Sequence, residues 1–448
     1  MTPPRRLAVL GAGPKSLALA AKLRVLAEIG FQVPELVIIE QHDVAHHWRA
    51  TSGLTNGELP LGTPPDKDVG YPYHSFSWGD HANRKVNSRM QAYSWQSYLV
   101  DTHQYGDWVD RGRPAPLHAD WAVYLEWVFG RLRDHVTYVR AEVQQLDLED
   151  GRWAIRGRGP DGGDVCLHAD GIVFTGPGDV RIPVALPPDP RILTVTDFWL
   201  HFRDAAHFGG RFDGRSAAIV GTGETAATVA AALARANPRM DIEIISPHAM
   251  TFSRGESYAE NHVYTDPFRA NWLQLTKADR RNFVRRTDRG VFSIASKEEL
   301  DTLRNVEIVP GTFTGVRVDS LDQVLVDIEY ALDRESRIYD TVIVSVGFDH
   351  LAFVERLLSP SARAALTTRL GTSGLDLETL EDSIDHFLAV GGLKPFLHLP
   401  MLAGISQGPG FPNLSCLGKL SDHILACYVP VESVADVEHP VLLGADRS

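Results

Sequence analysis

Cysteine is scarce. There are three in 448 residues, Cys166, Cys416 and Cys427, and no two stand in a Cys-x-x-Cys pair. That spacing excludes a dithiol redox centre and signals no metal site. Positive charge is also short: 44 lysines and arginines face 57 aspartates and glutamates, a formal net charge of −13. Nucleic acid and anionic membrane surfaces are therefore not expected partners. No apolar run approaches the roughly 20 residues of a membrane span. The apolar opening of the chain is broken by Pro14 and Lys15 and shows no bounded signal-peptide core, so a cytoplasmic protein is expected. No segment is compositionally biased, and a chain of this length exceeds one core, which predicts two or three domains.

What is present begins with a turn. Residues 7–16 read Leu-Ala-Val-Leu-Gly-Ala-Gly-Pro-Lys-Ser. Residues 7–10 have strand length, and 15–29 repeat their apolar positions at helical period. Gly11 permits the tight turn, and Gly13 lets the backbone approach a pyrophosphate closely. The opening turn of the helix offers free N–H groups and a positive dipole end. Ala12, Pro14, Lys15 and Ser16 complete this cradle, Ser16 standing where the dinucleotide fingerprint usually has Gly or Ala. A second strand, 36–39, ends in Glu40, an acid placed to bond a ribose hydroxyl. Residues 53–73 are dense in glycine and proline, and Pro64 and Pro65 exclude regular helix there. This loop, which contains Gly62, reads as a wall of the first nucleotide site or as a surface connection. Helical periodicity returns at 91–103 and 119–132, where Trp121, Tyr124, Leu125 and Val128 share a core-facing stripe. Strand-like alternation follows at 136–148 and 153–156, and 171–175 closes the unit in Thr-Gly.

The opening device then recurs. Residues 216–220 form a strand, 221–226 read Gly-Thr-Gly-Glu-Thr-Ala, and 224–236 form an alanine-rich helix. Gly221, Gly223, Glu224, Thr225 and Ala226 thus make a second cradle. The next strand, 242–245, ends in Ser246. Without a carboxylate to hold a free 2′-hydroxyl and repel a 2′-phosphate, this site should accept NADPH. Arg254 follows closely, as a phosphate partner or as a solvated loop charge. Residues 340–348 close the second unit in Gly-Phe. The fold class expected is α/β, with two Rossmann-like dinucleotide-binding domains and a smaller substrate-binding region. Its expected divisions are 1–184, 185–347, a segment 348–430 that completes the first domain, and a tail 431–448. A helix over 421–428 would cap the first domain.

Longer strings carry a resemblance. They are Gly-Ala-Gly-Pro-Lys-Ser, Leu-Gly-Thr-Pro-Pro-Asp-Lys-Asp-Val-Gly-Tyr-Pro-Tyr, Tyr-Ser-Trp-Gln-Ser-Tyr-Leu, Asp-Arg-Gly-Arg-Pro-Ala-Pro, Gly-Glu-Thr-Ala-Ala, Arg-Thr-Asp-Arg-Gly-Val-Phe and Gln-Gly-Pro-Gly-Phe-Pro-Asn-Leu-Ser-Cys-Leu-Gly. Almost end to end, the chain resembles the class B flavin-dependent N-hydroxylating monooxygenases. Its likeness is greatest to the L-lysine N6-monooxygenases of mycobactin- and nocobactin-type siderophore biosynthesis. The resemblance implies FAD at the first cradle, with Trp48 and Gly62 beside it, and NADPH at the second. It implies L-lysine and molecular oxygen as substrates and a homo-oligomer, dimer or tetramer. Lys67 falls on a lysine that pairs with the substrate α-carboxylate. Asn261 falls on an asparagine that contacts both substrate and nicotinamide nucleotide, and Ser421 on a serine near the substrate. Asp288 stands where ornithine enzymes carry asparagine. Gly62 stands where they carry a glutamine close to the flavin, so the oxygenated flavin is expected to be less protected here. The usual Ala-Thr-Gly-Tyr closure reads Ser-Val-Gly-Phe.

The chemistry so implied belongs to the cofactor, as a C4a-hydroperoxyflavin that hydroxylates a neutral amine. No residue need be a nucleophile, and Lys67 would be an orienting charge. L-ornithine N5-hydroxylation, or hydroxylation of a related amine, is the alternative. An uncoupled NADPH oxidase and a non-catalytic dinucleotide sensor stand behind it. A disulfide reductase lacks its cysteine pair here. A Baeyer–Villiger or sulfur monooxygenase would show Phe-x-Gly-x-x-x-His where residues 197–203 read Asp-Phe-Trp-Leu-His-Phe-Arg.

Overall fold

A computed structural model describes residues 5–202, 215–248 and 252–430; the expected tail 431–448 lies outside them. Two five-stranded parallel sheets dominate. The first runs in the order Phe396–His398, Gly171–Phe174, Arg6–Leu10, Glu35–Glu40, Thr137–Arg140. The second runs Val306–Pro310, Asp241–Ser246, Ser216–Val220, Thr341–Val344, Ile192–Thr194. In each, the strand entering a glycine turn is central and covered on both faces. That is why Leu7, Val9, Ala217 and Ile219 are fully buried and the strands read as unbroken apolar runs. The expected α/β fold with two Rossmann-like units is what the chain adopts.

The two units repeat one plan. Between the third parallel strand and the closing strand each inserts an antiparallel three-stranded sheet. In the first unit this is Glu142–Glu149, Arg152–Arg158 and Asp164–Ala169; in the second, Thr312–Val318, Val324–Glu329 and Arg334–Tyr339. The stretch expected as one strand over 136–148 divides at Ala141, whose N–H donates to Glu40 O at 2.9 Å. Thr137–Arg140 pairs in parallel with Glu35–Glu40, and Glu142–Glu149 begins the separate ladder. Alternation alone cannot show this, since a period of two survives a change of partner.

The helical expectations held in kind and shifted in extent. The first helix is Pro14–Glu28, with proline in its first turn where no N–H is needed. The aromatic stripe lies on His118–Leu132, and Trp121, Tyr124, Leu125 and Val128 are wholly buried. Residues 91–103 contain a short turn, Gln91–Tyr93, and then the helix Trp95–Asp101. Ser94 interrupts them, its side chain accepting from Ser97 N at 3.0 Å. The helix expected over 421–428 is Leu417–Leu425. Every one of its residues is buried, Lys419, Asp422 and His423 included, so no polar face marks its ends.

That last helix packs on the first through charge. Lys22 and Asp422, 2% and 0% exposed at the side chain, form an ion pair. Lys22 Nζ also donates to Ser75 Oγ at 2.8 Å and Gly418 O at 3.0 Å, while Asp422 accepts from Phe76 N at 3.2 Å. Removing one partner strands the other charge away from water. Asp422→Ala should therefore lower unfolding free energy by about 3–5 kcal/mol. The joint change Lys22→Met with Asp422→Leu should cost distinctly less. Urea unfolding of the three proteins measures both.

Candidate active site

The two glycine turns are built alike. Gly11 and Gly221 have φ of +102° and +139°, values that favour glycine, and a Cβ on either would strike the closing strand. At Gly11 it would lie 2.6 Å from Thr175 Oγ1, and at Gly221 2.2 Å from Ser345 O. Gly13 and Gly223, which precede the two helices, face the other way: a Cβ there meets nothing within 4 Å. Neither helix has a side-chain cap at its N-terminus, whereas Ser257, Thr276, Ser293 and Ser359 cap theirs. Open space over uncapped first-turn amides suits a pyrophosphate at both turns. The residues fit the two dinucleotides that the sequence implies.

Around the first turn the expected residues converge. Glu40 ends its strand and accepts from Ala12 N and His42 N, both at 2.8 Å. Ser16 Oγ donates to Gly11 O. Lys15 is buried, and its ammonium donates to Thr175 O at 2.9 Å and Pro412 O at 2.6 Å. Burial lowers its pKa to about 8. Lys15 thus ties the fingerprint helix to the closing strand and to the Gly-Pro-Gly-Phe-Pro-Asn segment. Trp48 is half-buried, its ring 4.9 Å from that of His118.

Around the second turn a cleft of about 890 Å³ opens, lined by Gly221, Gly223, Glu224 and Thr225, with Ser345–Leu351 on its far wall. Ala226 is buried beneath it. Glu224 turns its carboxylate away to accept from Ser293 N at 2.6 Å, Ser293 Oγ at 2.9 Å and Ser296 Oγ at 2.6 Å, at the start of helix Ile294–Thr302. Ser246 ends the second strand as expected, but its hydroxyl is buried in a local turn and donates to His248 O at 2.9 Å. Arg254 does not line this cleft; its guanidinium donates to Gly62 O. Among the described residues, the arginines on the cleft wall are Arg181 and Arg289, neither of which the sequence singled out. Arg289 lies in the Arg-Thr-Asp-Arg-Gly-Val-Phe string, and that string was its only signal.

The loop over residues 61–73 bridges to the second unit. Asp68 anchors it, accepting from Tyr73 OH at 2.7 Å, Trp95 N at 2.9 Å and Gly70 N at 3.0 Å. Burial outweighs these donors and pushes the Asp68 carboxyl up to about 7. Its neighbour Lys67 reaches across to the second unit, donating to Asn261 Oδ1 at 2.7 Å. Asn261 sits on the helix Tyr258–Thr265, and its amide donates back to Glu256 O at 2.8 Å. Lys67 forms no ion pair among the described residues, and burial lowers its pKa. A desolvated ammonium held by a neutral amide oxygen is a receptor for an anion. Ser421 is not brought to this pair by any contact: it is fully buried and its hydroxyl donates to Gly418 O, 2.9 Å away within its own helix. Asp288 lines the cleft, faced by Arg254, Arg289 and Asn413, and burial raises its carboxyl. Sequence reasoning missed Asp68, although it adjoins Lys67 in the same string.

The Gly-Pro-Gly-Phe-Pro-Asn segment meets this helix from below. A Cβ at Gly410 would lie 1.9 Å from Tyr264 O, so only glycine admits the helix there.

Two parallel sheets, each with an open glycine turn at a helix N-terminus and an anion receptor between them, define an oxidoreductase of the two-dinucleotide type. Residues 86–306 match the family described as L-lysine 6-monooxygenase/L-ornithine 5-monooxygenase. The chain is 42% identical over 424 residues, 94% of each chain, to the L-lysine N6-monooxygenase MbtG of Mycolicibacterium paratuberculosis. Its fold matches that of the lysine monooxygenase NbtG from Nocardia farcinica with a TM-score of 0.80 and 38% identity, covering 94% of this chain and 98% of that one. The ornithine hydroxylase PvdA from Pseudomonas aeruginosa shares the fold at a TM-score of 0.72 and 18% identity, over 95% and 98% of the two chains. The chain belongs to the L-lysine 6-monooxygenase/L-ornithine 5-monooxygenase family.

Asp68 gives the site a pH signature. Its native value of about 7 lies above the roughly 3.9 of an unfolded aspartate, so the native chain holds the proton more tightly. Its contribution to stability is complete below about pH 4 and is lost as pH rises through about 7. Unfolding free energies measured by urea from pH 5 to pH 8 should carry a falling component that Asp68→Asn abolishes.

Proposed function

We infer that this protein hydroxylates the side-chain amine of free L-lysine at N6, using FAD, NADPH and molecular oxygen, to supply a hydroxamate siderophore. The observation that carries the reading is the Lys67–Asn261 pair, a half-buried ammonium that joins the 61–73 loop to the second unit with no ion-pair partner among the described residues. Gly11–Ser16 and Glu40 would hold FAD, and Gly221–Ala226 with the cleft above them NADPH. Bound there, reduced flavin activates oxygen, chemistry that no side chain supplies.

The chain's own work is binding, orientation and exclusion of water. Lys67 would exchange the Asn261 amide for the substrate α-carboxylate, and Asn261 would turn to the substrate and the nucleotide. With the carboxylate fixed, side-chain length decides where the terminal nitrogen lies. Only the neutral amine carries a lone pair, yet free lysine titrates near ~10.4. Burial favours the neutral form. The same surroundings already lower Lys15 to about 8 and displace Lys67 in the same direction. A cytoplasmic setting fits the three free thiols, Cys166, Cys416 and Cys427. The family likeness extends the reading to a dimer or tetramer.

Chain length tests the substrate. Ornithine is one methylene shorter, and a misplacement of about 1 Å costs on the order of 10²-fold in rate. Hydroxylamine formation at equal subsaturating concentrations should favour lysine over ornithine, with ornithine weakly turned over. The opposite order would assign the enzyme to ornithine, and no amine-dependent hydroxylamine from either would leave a nucleotide oxidase or sensor.

Lys67→Ala removes the ammonium and its bond to Asn261 and leaves both glycine turns intact. Its KM for lysine should rise at least about ten-fold, the scale of a charge-assisted hydrogen bond. Reduction of the flavin by NADPH, followed by its absorbance under anaerobic conditions, should stay near the wild-type rate.

A further inference from the structure

Two hydrogen bonds join the same two segments. Lys67 reaches Asn261, and Arg254 Nη1 reaches Gly62 O. Residues 62 and 67 lie on the loop anchored by Asp68; residues 254 and 261 lie on the second unit. The two bonds therefore enclose a ring, with four residues between its corners on one side and six on the other.

The corners differ in what holds them. Lys67 is a flexible ammonium on a side-chain amide, a bond that a carboxylate can replace. Arg254 sits on a fixed base: its own N–H donates to Phe292 O at 2.7 Å, beside the short parallel pairing of Phe252–Ser253 with Val291–Phe292. Its partner is a main-chain carbonyl, so the bond grips the loop by its backbone and not by a side chain. A Cβ at residue 62 would lie 3.3 Å from Arg254 Nη1, so the guanidinium would have to give way by a few tenths of an ångström. The Gly62 backbone is not in the left-handed region, so conformation does not demand glycine there. The neighbours of Arg254 line different cavities. Gly62 lines a small one of about 140 Å³ with His47 and His118, and Asp288, which faces Arg254, lines the large nucleotide cleft.

We propose that Arg254 is a positioning residue for lysine binding: its bond to Gly62 keeps the substrate loop clasped to the second unit while Lys67 releases Asn261 to take the substrate carboxylate. This rests on the lysine-binding role of Lys67 given above. The rival role for Arg254 is contact with the nucleotide 2′-phosphate, and the two make opposite predictions.

The FAD-loaded enzyme carrying Arg254→Ala, Arg254→Lys, Gly62→Ala or Arg254→Ala with Gly62→Ala decides between them. Three quantities are measured: the dissociation constant of radiolabelled L-lysine by equilibrium dialysis with NADP⁺ present, the ratio of NADP⁺ to NAD⁺ dissociation constants, and hydrogen–deuterium exchange over residues 61–68 without substrate. Arg254→Ala should weaken lysine binding about ten-fold, the loss of one charge-assisted hydrogen bond. It should also speed exchange over 61–68 and leave the nucleotide ratio at the wild-type value. Arg254→Lys, which keeps a donor, should recover part of both losses. Gly62→Ala should move in the same direction, and the double variant should be no weaker than the weaker single one. A loss confined to NADP⁺ would overturn the proposal in favour of the phosphate role, and unchanged exchange or additive losses would overturn it outright. Failure of wild-type enzyme to bind lysine would refute the substrate reading instead, and the exchange arm would still decide whether the clasp exists.

Discussion

The buried ion pair of Lys22 with Asp422 is the constraint on which the site depends. Two charges removed from water are tolerable only when they meet in good geometry with their remaining valences filled. Ser75, Gly418 and Phe76 fill them here, which draws the stretch after the substrate loop and the final helix into one network. From the same helix Gly418 N bonds Tyr71 O at 2.6 Å, and Lys419 pairs with Asp266 at 2.6 Å across to the second unit. A helix more than three hundred residues from the first fingerprint thus fixes the loop that carries Lys67. That network adds to the hold of Asp68 on the same loop, through Tyr73, Trp95 and Gly70.

The repeated plan of the two units shows how one solution was used for two nucleotides. Both helices begin on an open glycine and lack a side-chain cap, which leaves their first amides free. What differs is the acid. In the first unit Glu40 lies at the strand end and is oriented by two backbone amides. In the second, the only nearby carboxylate of the fingerprint, Glu224, is committed to the neighbouring helix, and the strand ends in Ser246. The second strand therefore ends without a carboxylate, the condition under which a 2′-phosphate is accepted.

Electrostatics inside the site run in one direction. Burial lowers Lys15 and Lys67 and raises Asp68 and Asp288, so charge on either sign of group is disfavoured. Such an interior favours a neutral substrate amine and still leaves Lys67 in need of an anion. Discrimination between amines differing by a methylene is then a matter of reach, since a methylene in a pocket is worth only about 1–3 kcal/mol.

The sequence by itself determined the two turns, their strands and helices, and the residues that flank them, because each is a local matter. A strand-length apolar run, a glycine with no Cβ and a helical period are all set within thirty residues. It determined the family too, through strings that no single motif carries. Tertiary structure decided the rest. Whether residues 136–148 formed one strand or two depended on which neighbour each half met. The ends of helix Leu417–Leu425 were invisible because burial on every side leaves no polar face. The Arg254 guanidinium, which the sequence left as a phosphate partner or a solvated loop charge, donates to Gly62 O, 192 residues away. Asp68 and Lys67 are neighbours whose roles separate only when the fold supplies Trp95 and Tyr73 to one and Asn261 to the other. Partners for a charged side chain come from distant segments, and a linear pattern records that a charge is there but not what it meets.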